Sequence, residues 1–316
     1  MQVRRTLAAA LAVGSLLLAG CAGDDLDDDT SADDDSTPAA SAGGPVTISG
    51  QNFPEATLVA SMYEQLLADA GYEPTVKLVD SRSVYIETFP GDIDVVPEYV
   101  GGIVNELNAR KLGDKAEPFT AGDGEELADQ GEQLLDEAGI TLLDVSDATD
   151  TNAFFVTQEY ADENGVTALS DLEGESVTLA AAPDCEGRLD CEGGLVDEYG
   201  IDVTKVLPLG YASDQTYQAV LSGEAELGET STTDGTLESQ GLVVLEDDKQ
   251  IQPAQNLVPA VSTAFLDEHP DLEDLLEGLM DALTTEKLTE LNGRVAVDRE
   301  KPDDVARDFL EQEGLL

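Results

Sequence analysis

Three cysteines and a single histidine are the rarest chemically versatile residues of this chain, and their placement limits what it can do. Cys21 directly follows an apolar run, residues 7–19, that Arg4 and Arg5 precede. The run is too short to span a bilayer stably, and the small residues of Leu18-Ala19-Gly20-Cys21 suit a signal peptidase. The thiol of Cys21 then suits thioether attachment of a diacylglycerol. Residues 1–20 read as a lipoprotein signal peptide, with Sec and twin-arginine export both open from Arg4-Arg5. Cys185 and Cys191 remain, and outside the cytoplasm two nearby thiols more often form a disulfide than a metal site. His269 lies far from both in sequence, so no zinc cluster is completed. There is no G-x-S-x-G elbow, no P-loop, no H-E-x-x-H and no triad that one histidine could serve. The sequence therefore reads as a non-enzyme with no cofactor and no metal.

The charge excludes another class. Lys and Arg number 15 against 68 Asp and Glu, a formal net charge of −53. Nucleic-acid binding is ruled out, because such a field repels phosphates. Acidic side chains spread over every segment keep a protein hydrated in strong salt, where screening over a few ångströms makes the self-repulsion tolerable. Residues 21–44 are mostly Asp, Ser, Thr, Ala and Gly, too poor in apolar groups to fold, and read as an acidic tether. The Asp spacing there matches no EF-hand loop.

Order begins near Pro45. Val46-Thr47-Ile48 predicts a strand, and Asn52 caps a helix with Pro54 in its first turn. Val59, Met62, Leu66 and Leu67 recur at helical spacing, and Gly71 ends that run. Strands are expected at 76–79, 93–96 and 140–145, with a helix over 125–138 before the last. A second unit predicts strands at 153–157, 176–181, 225–227 and 242–245, helices at 192–199 and 213–221, a helical piece at 169–172, and extended chain at 206–207. A strand at 257–261 and helices starting near Pro270, Thr285 and Pro302 finish the chain. This alternation predicts an α/β fold with largely parallel sheets.

Several segments then resemble one family, in order, over 46–315. Ile48-Ser49-Gly50-Gln51-Asn52-Phe53-Pro54-Glu55 resembles its I-G-S-K-N-F-T-E opening. The stretch Gly91-Asp92-Ile93-Asp94-Val95-Val96-Pro97-Glu98-Tyr99-Val100-Gly101 resembles G-D-I-D-x-x-P-E-Y-T-G. Tyr217-Gln218-Ala219-Val220-Leu221-Ser222-Gly223-Glu224 is similar to Y-Q-A-L-x-S-G-D, Thr232-Thr233-Asp234-Gly235 to S-T-D-G, and 242–249 to L-V-V-L-E-D-D-K. The family is that of the glycine betaine, carnitine and choline binding proteins of osmoprotectant ABC importers. The resemblance implies a type II periplasmic-binding fold, two lobes joined by two hinge crossings with a ligand cleft between them. Lobe 1 would be 46–150 plus 255–316 and lobe 2 151–254. It also implies an extracytoplasmic protein that hands its solute to permease subunits, held to the bilayer through acylated Cys21.

The family holds a quaternary ammonium with a cage of tyrosines, since such a cation offers no hydrogen-bond donor and is best met by aromatic faces. By resemblance Tyr99 stands at the first cage position and Arg188 matches the carboxylate-binding arginine. Asn152, Ser231 and Gln255 stand where further aromatic residues are expected. Gln51 replaces the opening lysine, Gly102 replaces a threonine, and Ser83 is a further candidate. Amides and hydroxyls make directional hydrogen bonds. The expected solute is therefore a small zwitterion such as glycine betaine or a more polar relative, with an amino acid, ectoine or a polyol as the alternative. Tyr85, Tyr211 and Phe154 are residues that could rebuild an aromatic wall, and Tyr217 reads as core.

Overall fold

A computed structural model describes residues 43–316. Cys21 and nearly all of the acidic tether lie outside the described residues. Ten strands form two five-stranded sheets. The first contains β1 (Pro45–Gln51), β2 (Glu73–Val79), β3 (Val95–Tyr99) and β4 (Ile140–Leu142). The second contains β5 (Asn152–Thr157), β6 (Ser176–Ala181), β7 (Asp202–Pro208), β8 (Leu227–Ser231) and β9 (Leu242–Leu245). The chain then returns to the first sheet as β10 (Leu257–Ser262). The orders are β2-β1-β3-β10-β4 and β7-β6-β8-β5-β9.

Both sheets are mixed, where the sequence pattern predicted largely parallel ones. β1 runs parallel to β2 and β3, but β10 is antiparallel to β3 and β4. β6 is parallel to β7 and β8, while β5 is antiparallel to β8 and β9. The reversed strands are the two that follow a crossing between lobes. Each arrives from the other lobe rather than through a same-sheet helical crossover, so the right-handed β-α-β rule does not set its direction.

Side chains alternate across each sheet into two apolar layers. Val95, Leu257 and Val261 face one, with Leu58, Met62 and Leu310; Val96, Val258 and Ala260 face the other, with Ile103 and Leu127. In the second lobe Phe154 and Val156 turn one way and Phe155 the other. Every residue of β3 and β10 is buried, as expected of strands covered by helices on both faces. Each fully buried Leu, Ile or Phe of these layers contributes about 1.5–3 kcal/mol relative to exposure.

The helix Pro54–Asp69 has Phe53 at its N-cap, not Asn52. Pro54 at N1 places the cap one residue later, and the Asn52 backbone N–H instead donates to Val79 O at 2.7 Å. The helix Val100–Leu112 has no counterpart among the predicted elements. It starts as β3 ends, with no turn between, and its first turn holds Gly101 and Gly102, residues that ordinarily disfavour helix. Their smallness is required by packing. A Cβ on Gly101 would lie 2.4 Å from Ala254 O, and one on Gly102 would lie 2.3 Å from Arg82 Nη2. The helices Asp271–Ala282, Thr285–Ala296 and Pro302–Glu313 close the chain where the capping signals placed them. Among the described residues no helix is long and apolar enough to cross a membrane.

Candidate functional site

The two crossings, residues 143–151 and 246–256, run side by side. Thr149 and Asn256 pair as an antiparallel bridge, Asp150 N–H donates to Gln255 O at 3.1 Å, and Leu257 N–H to Ala148 O at 2.9 Å. Residues on this short ribbon stand between the lobes. Beside it lies a cavity of about 120 Å³ whose wall includes Asp150, Asn152, Asp190, Tyr211, Gln252 and Gln255.

Two of the sequence candidates share that wall. Asn152 opens β5 and donates from Nδ2 to Asp190 Oδ2 at 3.3 Å. Gln255 accepts the Gly102 backbone N–H on Oε1 at 3.1 Å. Ser231, the last residue of β8, is the cross-strand partner of Asn152, and its hydroxyl faces the Asp150 carboxyl and the Tyr211 phenol. The other candidates do not line the cavity. Tyr99 is buried at the end of β3, donates to Glu55 Oε1 and stacks on Phe53 at 6.2 Å between centroids. Gln51 Oε1 accepts the Arg82 backbone N–H at 3.2 Å. Arg188 is engaged by Asp190 through Nε and Nη2, at 2.9 and 2.6 Å, and by Asp184 at 3.3 Å. Ser83 is exposed and pairs with the Ser81 hydroxyl at 2.9 Å. Of the residues proposed to rebuild an aromatic wall, Tyr211 is at the cavity, while Tyr85 and Phe154 belong to the apolar layers. Tyr217 is core, and its hydroxyl donates to Asp234 Oδ2 at 2.6 Å.

Cys185 and Cys191 form a disulfide that encloses Arg188 in its loop. Both sulfurs are buried, and Glu229 Oε1 approaches Cys191 Sγ at 3.4 Å. The sulfurs are oxidised, so this trio holds no thiolate for a metal.

Asp150, Arg82 and Glu55 are functional candidates that motif reading passed over. In a chain with 68 acids a single aspartate carries no signal, and Arg82 falls outside the matched motifs. Arg82 grips the buried Glu98 through Nε and Nη2, at 2.7 and 2.9 Å. Glu98 Oε2 also accepts the Tyr99 N–H at 2.8 Å. Burial works against the Arg82 charge, but the Glu98 carboxylate outweighs it and raises the guanidinium's pKa. Glu55 accepts from Tyr99 Oη and Asn292 Nδ2, and Asn292 also donates to Thr233 O at 3.0 Å. Burial raises the Glu55 pKa against these hydrogen bonds. The approach is close because Gly235 rests on the Thr285–Ala296 helix, where a Cβ would meet Gly293 N at 2.3 Å.

Burial first, then the charge of Glu55, pushes the Asp150 carboxyl up to about 7, while the Thr233 and Ser231 hydroxyls pull it down. The native chain thus holds a proton there over a range where the unfolded chain has lost it. Its contribution to stability is present below the ordinary carboxylate range and is lost as pH rises towards 7. Without ligand, the melting temperature should fall between pH 5 and pH 8 in strong salt. Asp150→Asn should remove a share of that fall worth roughly 2–3 kcal/mol at most between those two pH values. An unchanged slope in the variant would show that Asp150 ionises normally.

Comparison with known proteins places these features in context. Residues 44–312 match the family model described as the substrate binding domain of ABC-type glycine betaine transport system. A glycine-betaine-binding protein of Pseudomonas aeruginosa is 28% identical over 284 residues, covering 85% of this chain and 88% of its own. The glycine betaine-binding protein YehZ of Escherichia coli is 26% identical over 288 residues, covering 86% and 92%. Among solved structures, that of a glycine betaine/carnitine/choline ABC transporter superposes with a TM-score of 0.74 at 23% identity, covering 85% of this chain and 99% of that one.

Proposed function

We propose, from the premise that this chain belongs to the family of substrate-binding domains of ABC-type glycine betaine transport systems, that its solute is held in the cavity at the interlobe ribbon. The chain is the binding component of an importer and works outside the cytoplasm. The solute is a small charged osmoprotectant, glycine betaine or a more polar relative.

One observation carries the choice of site. Three stretches distant in sequence, carrying Asp150 and Asn152, Tyr211, and Gln255, meet at one small cavity beside the two crossings. A solute there touches the second lobe through Asn152, Asp190 and Tyr211 and the joining ribbon through Asp150, Gln252 and Gln255, and the adjoining groove borders Asn105 and Phe119 of the first lobe. The solute's binding free energy therefore favours the arrangement in which the lobes are together, which is closure by hinge motion. The wall is richer in amides and carboxylates than an aromatic cage, so hydrogen bonding and charge take over much of what apolar contact does for a quaternary ammonium. Beyond Asp190 and Pro253 the crevice continues into a groove of about 600 Å³ that also borders Arg188 and Lys249. A zwitterion can lie with its cation inward at Asp150 and its carboxylate outward near these bases. Cys21 is read as the acylated anchor and the following acidic residues as the tether, so that the closed form is delivered to permease subunits at the membrane.

The test is a thermal-shift and calorimetric panel at high salt with glycine betaine, choline, carnitine, ectoine and amino acids. A ligand at a hundred times its Kd should stabilise the fold by about 2.7 kcal/mol. One-site binding abolished by Gln255→Ala supports the placement. Binding untouched by substitution at Gln255, Asn152 and Tyr211 moves the site elsewhere.

A further inference from the structure

We propose that Asp150 is the specificity-determining residue of the cleft, holding the solute's cation and selecting a cationic nitrogen that carries at least one N–H. This rests on the cavity being the solute site.

Asp150 Oδ1 is buried and has no hydrogen-bond partner. The residue borders the cavity, whose lining contains two carboxylates and no cation. The second carboxylate, Asp190, is already satisfied by two hydrogen bonds from Arg188. Asp150 has no such counterion. Around it stand the Ser231 and Thr233 hydroxyls, Glu55 from the Pro54–Asp69 helix, Asp234 from the turn after β8, and the Tyr211 phenol. Tyr99 acts on it through Glu55. The charged groups that act most strongly on Asp150, Glu55 and Asp234, are both acidic, which favours a cation arriving from outside.

The chemistry of that cation follows from the orphaned oxygen. A buried acceptor without a donor is unfavourable, and the deficit is removed only by a group that donates a hydrogen bond. A trimethylammonium spreads its charge over methyl groups and donates nothing, so it would leave Oδ1 unpaired. A tertiary, secondary or primary ammonium, an amidinium or a guanidinium supplies the missing donor and the charge together. Tyr211 offers an aromatic face to the remaining carbon-bound side of the cation.

Binding of this kind is linked to a proton. The empty site keeps its carboxyl protonated up to about 7. An arriving cation stabilises the carboxylate and sends that proton to solvent. Affinity therefore rises as pH climbs from 6 to 8, with proton release at the lower end.

Calorimetry at pH 6 and pH 8 in strong salt, in buffers of different ionisation heat, tests this with five probes. These are glycine betaine, N,N-dimethylglycine, sarcosine, choline and N,N-dimethylethanolamine. The N–H members should bind at least about 10-fold tighter than their trimethylated parents at pH 8. They should also weaken at pH 6 and release a proton there. Asp150→Asn should bring them to the level of the parents and flatten the pH profile, with circular dichroism confirming the fold. The probe ranking in the unaltered protein stands even if the variant fails to fold. Tightest binding of glycine betaine and choline with no pH dependence would overturn this inference and leave the betaine-type reading intact. A preference for N–H members that Asp150→Asn leaves unchanged would overturn the assignment to Asp150. No binding of any probe would overturn the betaine-type reading itself.

Discussion

Replacing Glu98 by Ala is expected to lower the unfolding free energy by about 3–5 kcal/mol, and Arg82→Ala by a comparable amount. The pair is bidentate, and the Glu98 side chain is only 2% exposed against 20% for Arg82. Removing one partner leaves the other as a desolvated charge with no counterion, which costs far more than losing a surface bridge. The remaining donor to Glu98, the Tyr99 N–H, cannot compensate a whole charge. Gly102→Thr should act on the same pair. Its Cβ would fall 2.3 Å from Arg82 Nη2, so the guanidinium must leave Glu98. Arg82→Ala and Gly102→Thr combined should therefore cost much less than the sum of the two, because both break one interaction. Denaturant titrations of the three variants in strong salt check this. Full additivity would mean that Gly102 and Arg82 do not share a space.

Tyr211→Ala is expected to weaken solute binding by about 2 kcal/mol, roughly 30-fold, with Tyr211→Phe losing only a few-fold. Tyr211 is the aromatic residue of the cavity wall. It is 42% exposed, so its truncation removes little from the core and stability should hold. Its presentation is constrained on both sides. Gly210 has φ of +113° and Ala212 has φ of +44°. The left-handed conformation of Ala212 disfavours any residue with a Cβ by about 1–2 kcal/mol, and it persists because the surrounding turn requires it. Ser213 then caps the Asp214–Leu221 helix by accepting from the Thr216 N–H. The ring is thus carried between two residues of left-handed backbone, next to the capped helix start. Calorimetry with the tightest-binding member of the methylated glycine series measures the loss. Equal affinities for Tyr211→Ala and the unaltered protein would remove the aromatic face from the site.

The candidate site was only partly legible along the chain. Asn152 and Gln255 are legible through the resemblance, which puts each where an aromatic residue is expected. Tyr211 is legible as one of three residues that could rebuild an aromatic wall, but only the structure separates it from Tyr85 and Phe154, which lie in the apolar layers. Asp150 was invisible, because what marks it is an unpartnered oxygen, and an orphaned atom is a property of surroundings rather than of sequence. Arg82 was hidden in the same way. Its partner Glu98 is 16 positions on, and its resting place is the gap left by Gly102. The Val100–Leu112 helix shows the converse. Gly101 and Gly102 argue locally against helix, and contacts with Ala254 and Arg82 override that preference.

By itself the sequence determined the α/β class and the family, because strand and helix periods and collinear motifs are written in neighbouring residues. Tertiary structure alone decided the reversed direction of β5 and β10, the pairing of the two crossings, and the meeting of Asp150, Tyr211 and Gln255 at one cavity. Those features arise where the chain passes between lobes, so they depend on contacts between residues far apart along it and on how each leaves the other buried.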